Sequence, residues 1–138
     1  MKIALNFKPK QSAKKLLLAL QERSRDIIVK RYGLGKSANR MTLDAIGKAY
    51  GITRERVRQI ENHAINTIRK SKNYTEEKAT FDELEKIISS MGGIVVEQDL
   101  LDTISRDSAT QSCLNFILVI GHPFNKMKED EDFKYRWF

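Results

Sequence analysis

The sequence predicts a mainly α-helical protein, with two successive groups of helices and a β-hairpin at the carboxyl end. Apolar residues recur at helical spacing, beginning with Leu16, Leu17 and Leu20. The tail changes period, because aromatic and basic residues alternate over 133–137, which is typical of a strand. The charge also divides into a basic first half and an acidic second half. These observations predict two small domains.

Composition excludes several classes of protein. The chain has 138 residues, of which 41% are hydrophobic and 31% charged, as in soluble globular proteins. No apolar run approaches the roughly 20 residues that a membrane span needs. One cysteine and two histidines give neither an internal disulfide nor zinc-ligand spacing. We therefore expect a reduced, cytoplasmic protein in which Cys113 is a small core residue.

The two halves carry opposite charge. Residues 1–73 contain 18 Lys and Arg against 5 Asp and Glu, a net charge of +13, whereas residues 74–138 contain 7 against 13, a net charge of −6. The basic half suits a polyanion, and the acidic half would be repelled by one. We predict a DNA-binding domain over 1–73 and a second, acidic domain over 74–138, called below the N-terminal and C-terminal halves.

The N-terminal half contains recognisable helix boundaries. Ser12 is a plausible start for the helical stretch 11–35. Thr42 and Thr53 are N-cap residues for two further helices. Gly51 separates these two helices, and the second of them is predicted to reach about residue 70.

The C-terminal half predicts a winged-helix-like module. The polar segment 70–80 is the candidate boundary, although a helical continuation fits it equally well. A helix ending at 92–93, a short acidic helix at 97–105 and a third helix at about 109–120 follow. The "EDED" at 129–132 would form the tip of the C-terminal β-hairpin.

Residues 43–61 have the features of a helix-turn-helix. Gly47 supplies the small residue that lets two helices approach, and Gly51 supplies a sharp turn. The apolar inner face would consist of Ile46, Tyr50, Ile52, Val57 and Ile60.

The second helix of this motif has an apolar and a polar side on a helical wheel. The apolar side consists of Val57, Ile60, Ala64 and Ile68. The polar side is centred on Glu55, Gln59 and Asn62, with Arg58 beside them and Arg54 and Arg56 on the flanks.

Mixed donors and acceptors on the polar side favour reading of DNA bases in the major groove. Gln and Asn pair with adenine, Glu accepts from cytosine, and Arg pairs with guanine, whereas phosphate contacts position without specifying. Simpler interpretations remain: Glu55 as a first-turn acid, Gln59 and Asn62 as solvated residues, and Arg54 and Arg58 as solubilising charge. Glu61 is expected to pair within its own domain. The predicted base-reading residues are Arg54, Glu55, Arg58, Gln59 and Asn62.

The stretch "RDIIVKRYGLG…MTLDAIGKAYGITRERVRQIENHAINTIRKS" closely resembles region four of primary bacterial sigma factors, over about residues 25–71. The resemblance implies binding of the upstream promoter hexamer, with base contacts from Arg54, Glu55 and Gln59. It implies that Arg56 and Arg58 contact mainly the DNA backbone.

The resemblance also implies phosphate and polymerase contacts. Thr42 and Leu43 would approach a phosphate at a helix N-terminus, where free amides favour an anion. The predicted phosphate-contacting residues are Thr42, Leu43, Arg56, Lys48 and Arg40. The helix around "RDIIVKRYGL" would pack on the β-subunit flap of bacterial RNA polymerase through Ile28 and Arg31.

The resemblance is partial. Only about 24 residues precede the match, so the regions with which a sigma factor melts a promoter are not visible. Either the chain is not an initiating sigma factor, or it is a piece of a longer protein, as the end within a strand pattern suggests. The stretch "FDELEKIISSMGGIVVEQDLLDTIS" resembles a HARE-type winged-helix module, also found in the delta subunit of some bacterial RNA polymerases. Its third helix lacks Lys and Arg, which favours a structural or protein-contacting role.

Other motifs are incomplete. "GLGKS" at 33–37 lacks the first glycine of a phosphate-binding loop, where Lys30 stands instead. Neither His63 nor His122 has a nucleophile or metal-ligand pattern around it. The aromatic residues of 133–137 could stack single-stranded bases, but the inner face of a hairpin is the favoured interpretation. We predict no enzyme activity, metal, cofactor or small-molecule substrate.

The sequence therefore predicts a transcription factor that binds double-stranded promoter DNA sequence-specifically and acts with bacterial RNA polymerase. The alternative is an interaction module that occupies the sigma region-four site on polymerase without reading DNA.

Overall fold

The computed structural model of the chain describes residues 5–35, 39–121, 126–127 and 136–137. These residues are mainly α-helical, as predicted, with eight helices and three two-residue strands among them. The elements are α1 Pro9–Leu17, α2 Glu22–Tyr32, α3 Leu43–Tyr50, α4 Arg54–Arg69, α5 Lys72–Glu76, α6 Lys78–Ser90, β1 Val95–Val96, α7 Glu97–Ile104, α8 Ser108–Ile120, β2 Lys126–Met127 and β3 Arg136–Trp137.

The predicted helical stretch 11–35 is two helices with a corner between them. Ser12 does not begin the first helix; it is buried inside α1, which starts at Pro9. At the corner, the Arg25 guanidinium donates to the Leu17 carbonyl at 3.1 Å and to the Leu20 carbonyl at 2.8 Å. Carbonyls at a helix end lack partners within the helix, so Arg25 stabilises the break that apolar spacing alone did not reveal.

Two threonines start the helices of the helix-turn-helix, as predicted. The Thr42 hydroxyl accepts a hydrogen bond from the Ala45 amide at 3.1 Å, and the Thr53 hydroxyl accepts one from the Arg56 amide at 3.1 Å. Each bond satisfies one of the amides left free at a helix start.

The turn between α3 and α4 depends on two glycines. Gly51 has a φ of 67°, in the left-handed region that glycine adopts at little cost. A Cβ on Gly47 would lie only 2.6 Å from the Ile52 carbonyl oxygen. The missing side chain at Gly47 therefore lets the chain after the turn pass directly against α3.

Buried side chains form two clusters. The smaller lies under the helix-turn-helix and contains Ile27, Ile46 and Val57. The larger joins both halves of the chain, and its members include Ile68 from α4 and Phe116 from α8. The predicted division between 1–73 and 74–138 falls inside α5 and remains a prediction.

The C-terminal half combines α6, α7 and α8 with a small antiparallel sheet of strand order β1-β3-β2. The central strand is β3: its Trp137 pairs with Val95 of β1 on one side and with Lys126 of β2 on the other. The predicted hairpin tip at 129–132 and residues 133–135 of the aromatic row lie outside the described residues.

Helix α8 lies deepest among the helices of the C-terminal half. It starts at Asp107, whose carboxylate accepts from the Thr110 amide at 3.1 Å. Phe116 has no exposed surface and pairs with the Tyr32 ring of α2, at a centroid distance of 5.5 Å. Cys113 is a buried core residue, as predicted, and burial raises the pKa of its thiol.

Replacing Gly47 with alanine should destabilise the fold. The new methyl group would collide with the Ile52 carbonyl, and a backbone atom moves less easily than a side chain. We expect the free energy of unfolding to fall by about 1–3 kcal/mol, measured by urea denaturation followed by circular dichroism. The exposed neighbour provides the control: Lys48→Ala should change that free energy by no more than about 0.5 kcal/mol. Equal stability of the two variants would contradict the close approach.

Candidate nucleic-acid interface

Helix α4 buries one side and exposes the other. Val57, Ala64 and Ile68 are at most 1% exposed. The opposite side carries the predicted base-reading residues, which are all exposed. We call this set the reading face; it consists of Arg54, Glu55, Arg58, Gln59 and Asn62. The structure therefore brings these residues together on one solvent-facing surface, away from the clusters of buried side chains.

Glu55 and Arg58 pair with each other on the reading face. The Arg58 Nε donates to one carboxylate oxygen at 3.0 Å, and its Nη2 donates to the other at 2.5 Å. The bond from Arg58 holds the pKa of Glu55 below its ordinary value, and the bond to Glu55 raises the pKa of Arg58. Both groups are fully charged near neutral pH, so the reading face presents a paired anion and cation.

Two further contacts order the residues around this pair. The Arg54 Nε lies 3.9 Å from a carboxylate oxygen of Asp44, in the first turn of α3. The Arg56 Nη1 donates to the Gln59 side-chain oxygen at 3.4 Å. The Gln59 amide nitrogen and the Arg56 charge both remain on the exposed side of the helix.

The predicted phosphate-contacting residues surround the start of α3 and the flank of α4. Thr42, Arg40, Lys48 and Arg56 are exposed, and Leu43 is half-buried as the first residue of α3. The Thr42 oxygen already accepts the Ala45 amide. Its hydroxyl proton and the free amides of the first turn remain available to an anion.

The prediction that Ile28 contacts a partner is wrong for this fold. Ile28 has no exposed surface and belongs to the larger cluster, because α2 turns this residue inward against α4 and α8. Arg31 is half-buried, and its guanidinium lies 3.4 Å from Glu61 and 3.3 Å from the Met41 carbonyl. Its predicted polymerase contact remains untested.

Glu61 pairs with residues of its own half of the chain, as predicted. Its carboxylate accepts the Tyr32 hydroxyl at 2.7 Å in addition to the bond from Arg31. Burial and the Glu61 charge raise the pKa of Tyr32, so the phenol remains a donor. The sequence showed the carboxylate but gave no sign that Tyr32, 29 positions earlier, would meet it.

Sequence reasoning missed a basic cleft beside the reading face. It has a volume of about 470 Å³ and lies between the start of α2 and the middle of α4. Arg23 lines one side, and Arg56, Gln59 and His63 line the other. The cleft extends the basic surface from α4 to α2. The sequence contains Arg23, but helical spacing alone does not show that this residue lies beside α4.

Two negative findings apply to the described part of the chain. It contains no group of three or more His, Cys, Asp or Glu side chains arranged to hold a metal ion. Every helix within the described ranges is too short or too polar to span a bilayer.

Comparison with protein families identifies one segment. Residues 16–70 match the model of Sigma-70, region 4. This segment begins within α1, includes the whole helix-turn-helix and ends at the close of α4. It ends before the C-terminal half, so the resemblance of that half to a HARE-type module is not supported by this match.

Individual relatives match over similar lengths. RNA polymerase sigma factor RpoS of Coxiella burnetii is 47% identical over 53 residues, which cover 38% of this chain and 15% of that protein. RNA polymerase principal sigma factor HrdD of Streptomyces viridifaciens is 46% identical over 55 residues, covering 40% of this chain and 16% of that protein. RNA polymerase sigma factor SigA of a Bacillus species is 40% identical over 60 residues, covering 44% and 16%.

The matched segments therefore span about a sixth of the length of these relatives. Within this chain, the matched segment contains α2 and the whole helix-turn-helix. The residues 16–70 of this protein are similar to region 4 of sigma-70 factors.

Proposed function

We propose that the chain binds double-stranded DNA through the reading face and distinguishes base sequences with it, as a transcription regulator that acts with bacterial RNA polymerase. The observation that carries this proposal is the exposure of five donor and acceptor side chains along one side of α4. They are anchored from behind by buried Val57, Ala64 and Ile68.

The chemistry of the reading face suits base edges better than phosphates alone. The exposed Gln59 and Asn62 amides can pair with adenine, and the Arg58 guanidinium can pair with guanine. A surface that only held phosphate would gain nothing from the Glu55 carboxylate, because an anion near the DNA backbone is repelled. Glu55 therefore favours sequences that offer it a donor, such as the cytosine amino group.

The ion pair between Glu55 and Arg58 is suited to exchange with DNA. Both side chains are more than half exposed, and ion pairs in water contribute little to stability. At little cost in free energy, the two side chains can separate to bond with DNA, or can contact a base pair while still bonded to each other. It also holds both side chains in an ordered arrangement before DNA arrives, which reduces the entropy lost on binding.

Phosphate contacts would position the reading face. Thr42 and Leu43 lie at the start of α3, where free amides and the helix dipole favour an anion. Three exposed cations lie near this site: Arg40 just before α3, Lys48 within α3, and Arg56 on the flank of α4. Such contacts contribute affinity and register without sequence preference.

The proposed association with RNA polymerase is supported by the relatives, each of which is named as an RNA polymerase sigma factor. If α2 contacts the β flap, as the resemblance implies, the contact uses Arg31 and the exposed side of α2. Ile28 is buried and cannot take part.

We propose that residues 74–138 form a winged-helix-like module with a structural or protein-contacting role. Its element order is α6, β1, α7, α8, β2 and β3. Three helices with a small antiparallel sheet are the ordinary parts of a winged helix. Helix α8, the third helix, is buried on most of its surface and has no Lys or Arg, so it is unsuited to entering a DNA groove.

A selection from a random duplex pool, followed by affinity measurements across salt concentrations, tests DNA binding. The protein should prefer the selected duplex over a scrambled duplex by about 10³-fold or more at matched salt. Affinity should fall steeply as the salt concentration rises. Binding releases counterions from the DNA phosphates, and a higher salt concentration opposes that release. Absence of a selected sequence, with retained binding to polymerase, would favour the interaction module that does not read DNA.

Gln59→Ala and Arg56→Ala should have different effects on DNA binding. Gln59→Ala should relax the preference at one base pair, worth about 1–3 kcal/mol, with little change in the salt dependence. Arg56→Ala should weaken binding to all duplexes alike and reduce the salt slope by about 1. Lys78→Ala, an exposed charge at the start of α6, is the control for loss of one cation. Identical effects of the first two variants on every duplex would contradict base reading.

Arg58→Gln should raise the pKa of Glu55 towards its ordinary value of 4.5, because the bond from Arg58 is the main cause of its depression. A nuclear magnetic resonance titration of the Glu55 carboxyl carbon measures this pKa directly. Arg54→Gln is the matched control and should have a smaller effect, since Arg54 lowers the pKa of Glu55 only through its charge, and less than Arg58 does. An unchanged pKa in Arg58→Gln would mean that the pair does not form in solution.

A further inference from the structure

The last turn of α4 is bonded to the end of α8. The Arg69 Nε donates to the Ile120 carbonyl at 2.8 Å, and its Nη2 donates to the Val119 carbonyl at 2.9 Å. The final carbonyls of a helix have no partners within the helix. Helix α8 has no basic residue in its last turn, so a residue about 50 positions earlier supplies the cation that this end attracts.

The same helix carries the reading face at its other end. Ala64 and Ile68 bury the second half of α4 in the larger cluster, next to Arg69. Helix α4 has 16 residues, so its two ends are about 22 Å apart at 1.5 Å per residue. A tilt of about 5° at the Arg69 end would move Arg54, at the far end of the reading face, by about 2 Å relative to the predicted phosphate-contacting residues at the start of α3. That displacement is enough to break hydrogen bonds to base edges, whose lengths vary by only a few tenths of an ångström.

We propose that Arg69 is a positioning residue that fixes the reading face relative to the C-terminal half, so that this acidic half takes part in DNA recognition without touching DNA. The inference rests on the proposed function. The C-terminal half would then hold α4 in position, because the end of α8 is bonded to the last turn of α4.

Two substitutions that remove one positive charge each provide the test. Arg69→Gln breaks the bonds to α8, whereas Lys70→Gln changes an exposed neighbour. Both variants should lose similar affinity for a scrambled duplex. Arg69→Gln alone should reduce the ratio of selected to scrambled affinity, by about tenfold, which equals the loss of one base-pair contact. Thermal unfolding followed by circular dichroism shows that both variants are folded at the assay temperature.

A spectroscopic measurement separates positioning from simple stabilisation. Coupling between two sites is reciprocal, so adding the selected duplex to the wild type should shift the amide resonances of 119–121 in the nuclear magnetic resonance spectrum. The same shifts should occur in Lys70→Gln and should be absent in Arg69→Gln. Arg69→Lys keeps the charge but lacks the two-pronged geometry, and its affinity ratio should fall between those of the wild type and Arg69→Gln.

The outcomes distinguish the two proposals. Equal affinity ratios for Arg69→Gln and Lys70→Gln would overturn the positioning role and leave the proposed function intact. A wild-type protein with no preference for any duplex would overturn both. If Arg69→Gln does not fold, the conservative variant decides: Arg69→Lys with the full wild-type ratio and the full shifts at 119–121 would overturn the positioning role.

Discussion

The burial of one side of α4 is the constraint on which the candidate interface depends. Val57 packs into the small cluster under the helix-turn-helix, whereas Ala64 and Ile68 pack into the larger one. The helix can satisfy both clusters in only one rotation about its axis, since neighbouring residues are about 100° apart. That rotation places Glu55 and Gln59 in solvent. The identity of the exposed residues is therefore fixed by hydrophobic packing on the opposite side.

Helix α4 contains two glutamates with different physical roles. The side chain of Glu55 is 58% exposed and pairs with a neighbour on its own helix. The side chain of Glu61 is 12% exposed and holds Tyr32 and Arg31 of α2. Removing a partner from a shielded carboxylate is costly, whereas an exposed pair exchanges its partner readily. Residue type alone would not distinguish a binding acid from a structural one; burial does.

Local signals in the sequence predicted the helix-turn-helix well. Thr42, Gly51 and Thr53 act within three or four positions of themselves, so their roles can be read from neighbouring residues. Helical periodicity also identified the buried and exposed sides of α4. The exposed residues of α4 could therefore be predicted one by one, whereas the cleft beside them, lined by Arg23 of α2, could not.

Features that depend on bonds to backbone carbonyls, or on distant parts of the chain, were not predictable. Arg25 and Arg69 bond to backbone carbonyls, which every residue possesses, so no pattern of side chains marks their partners. The corner between α1 and α2 was missed for that reason. Ile28 was assigned to a partner through resemblance, but in this chain α8 packs over the larger cluster to which Ile28 belongs. Contacts between a familiar motif and the rest of its chain are not visible in the sequence of the motif alone.

The chemistry of Cys113 has a practical consequence for labelling. It is the single cysteine of the chain, it is 6% exposed, and its raised thiol pKa leaves little reactive thiolate at neutral pH. A cysteine engineered into an exposed position would react with maleimide dyes far faster than this native thiol. Site-specific fluorophores or spin labels can therefore be attached without first removing Cys113 from the core.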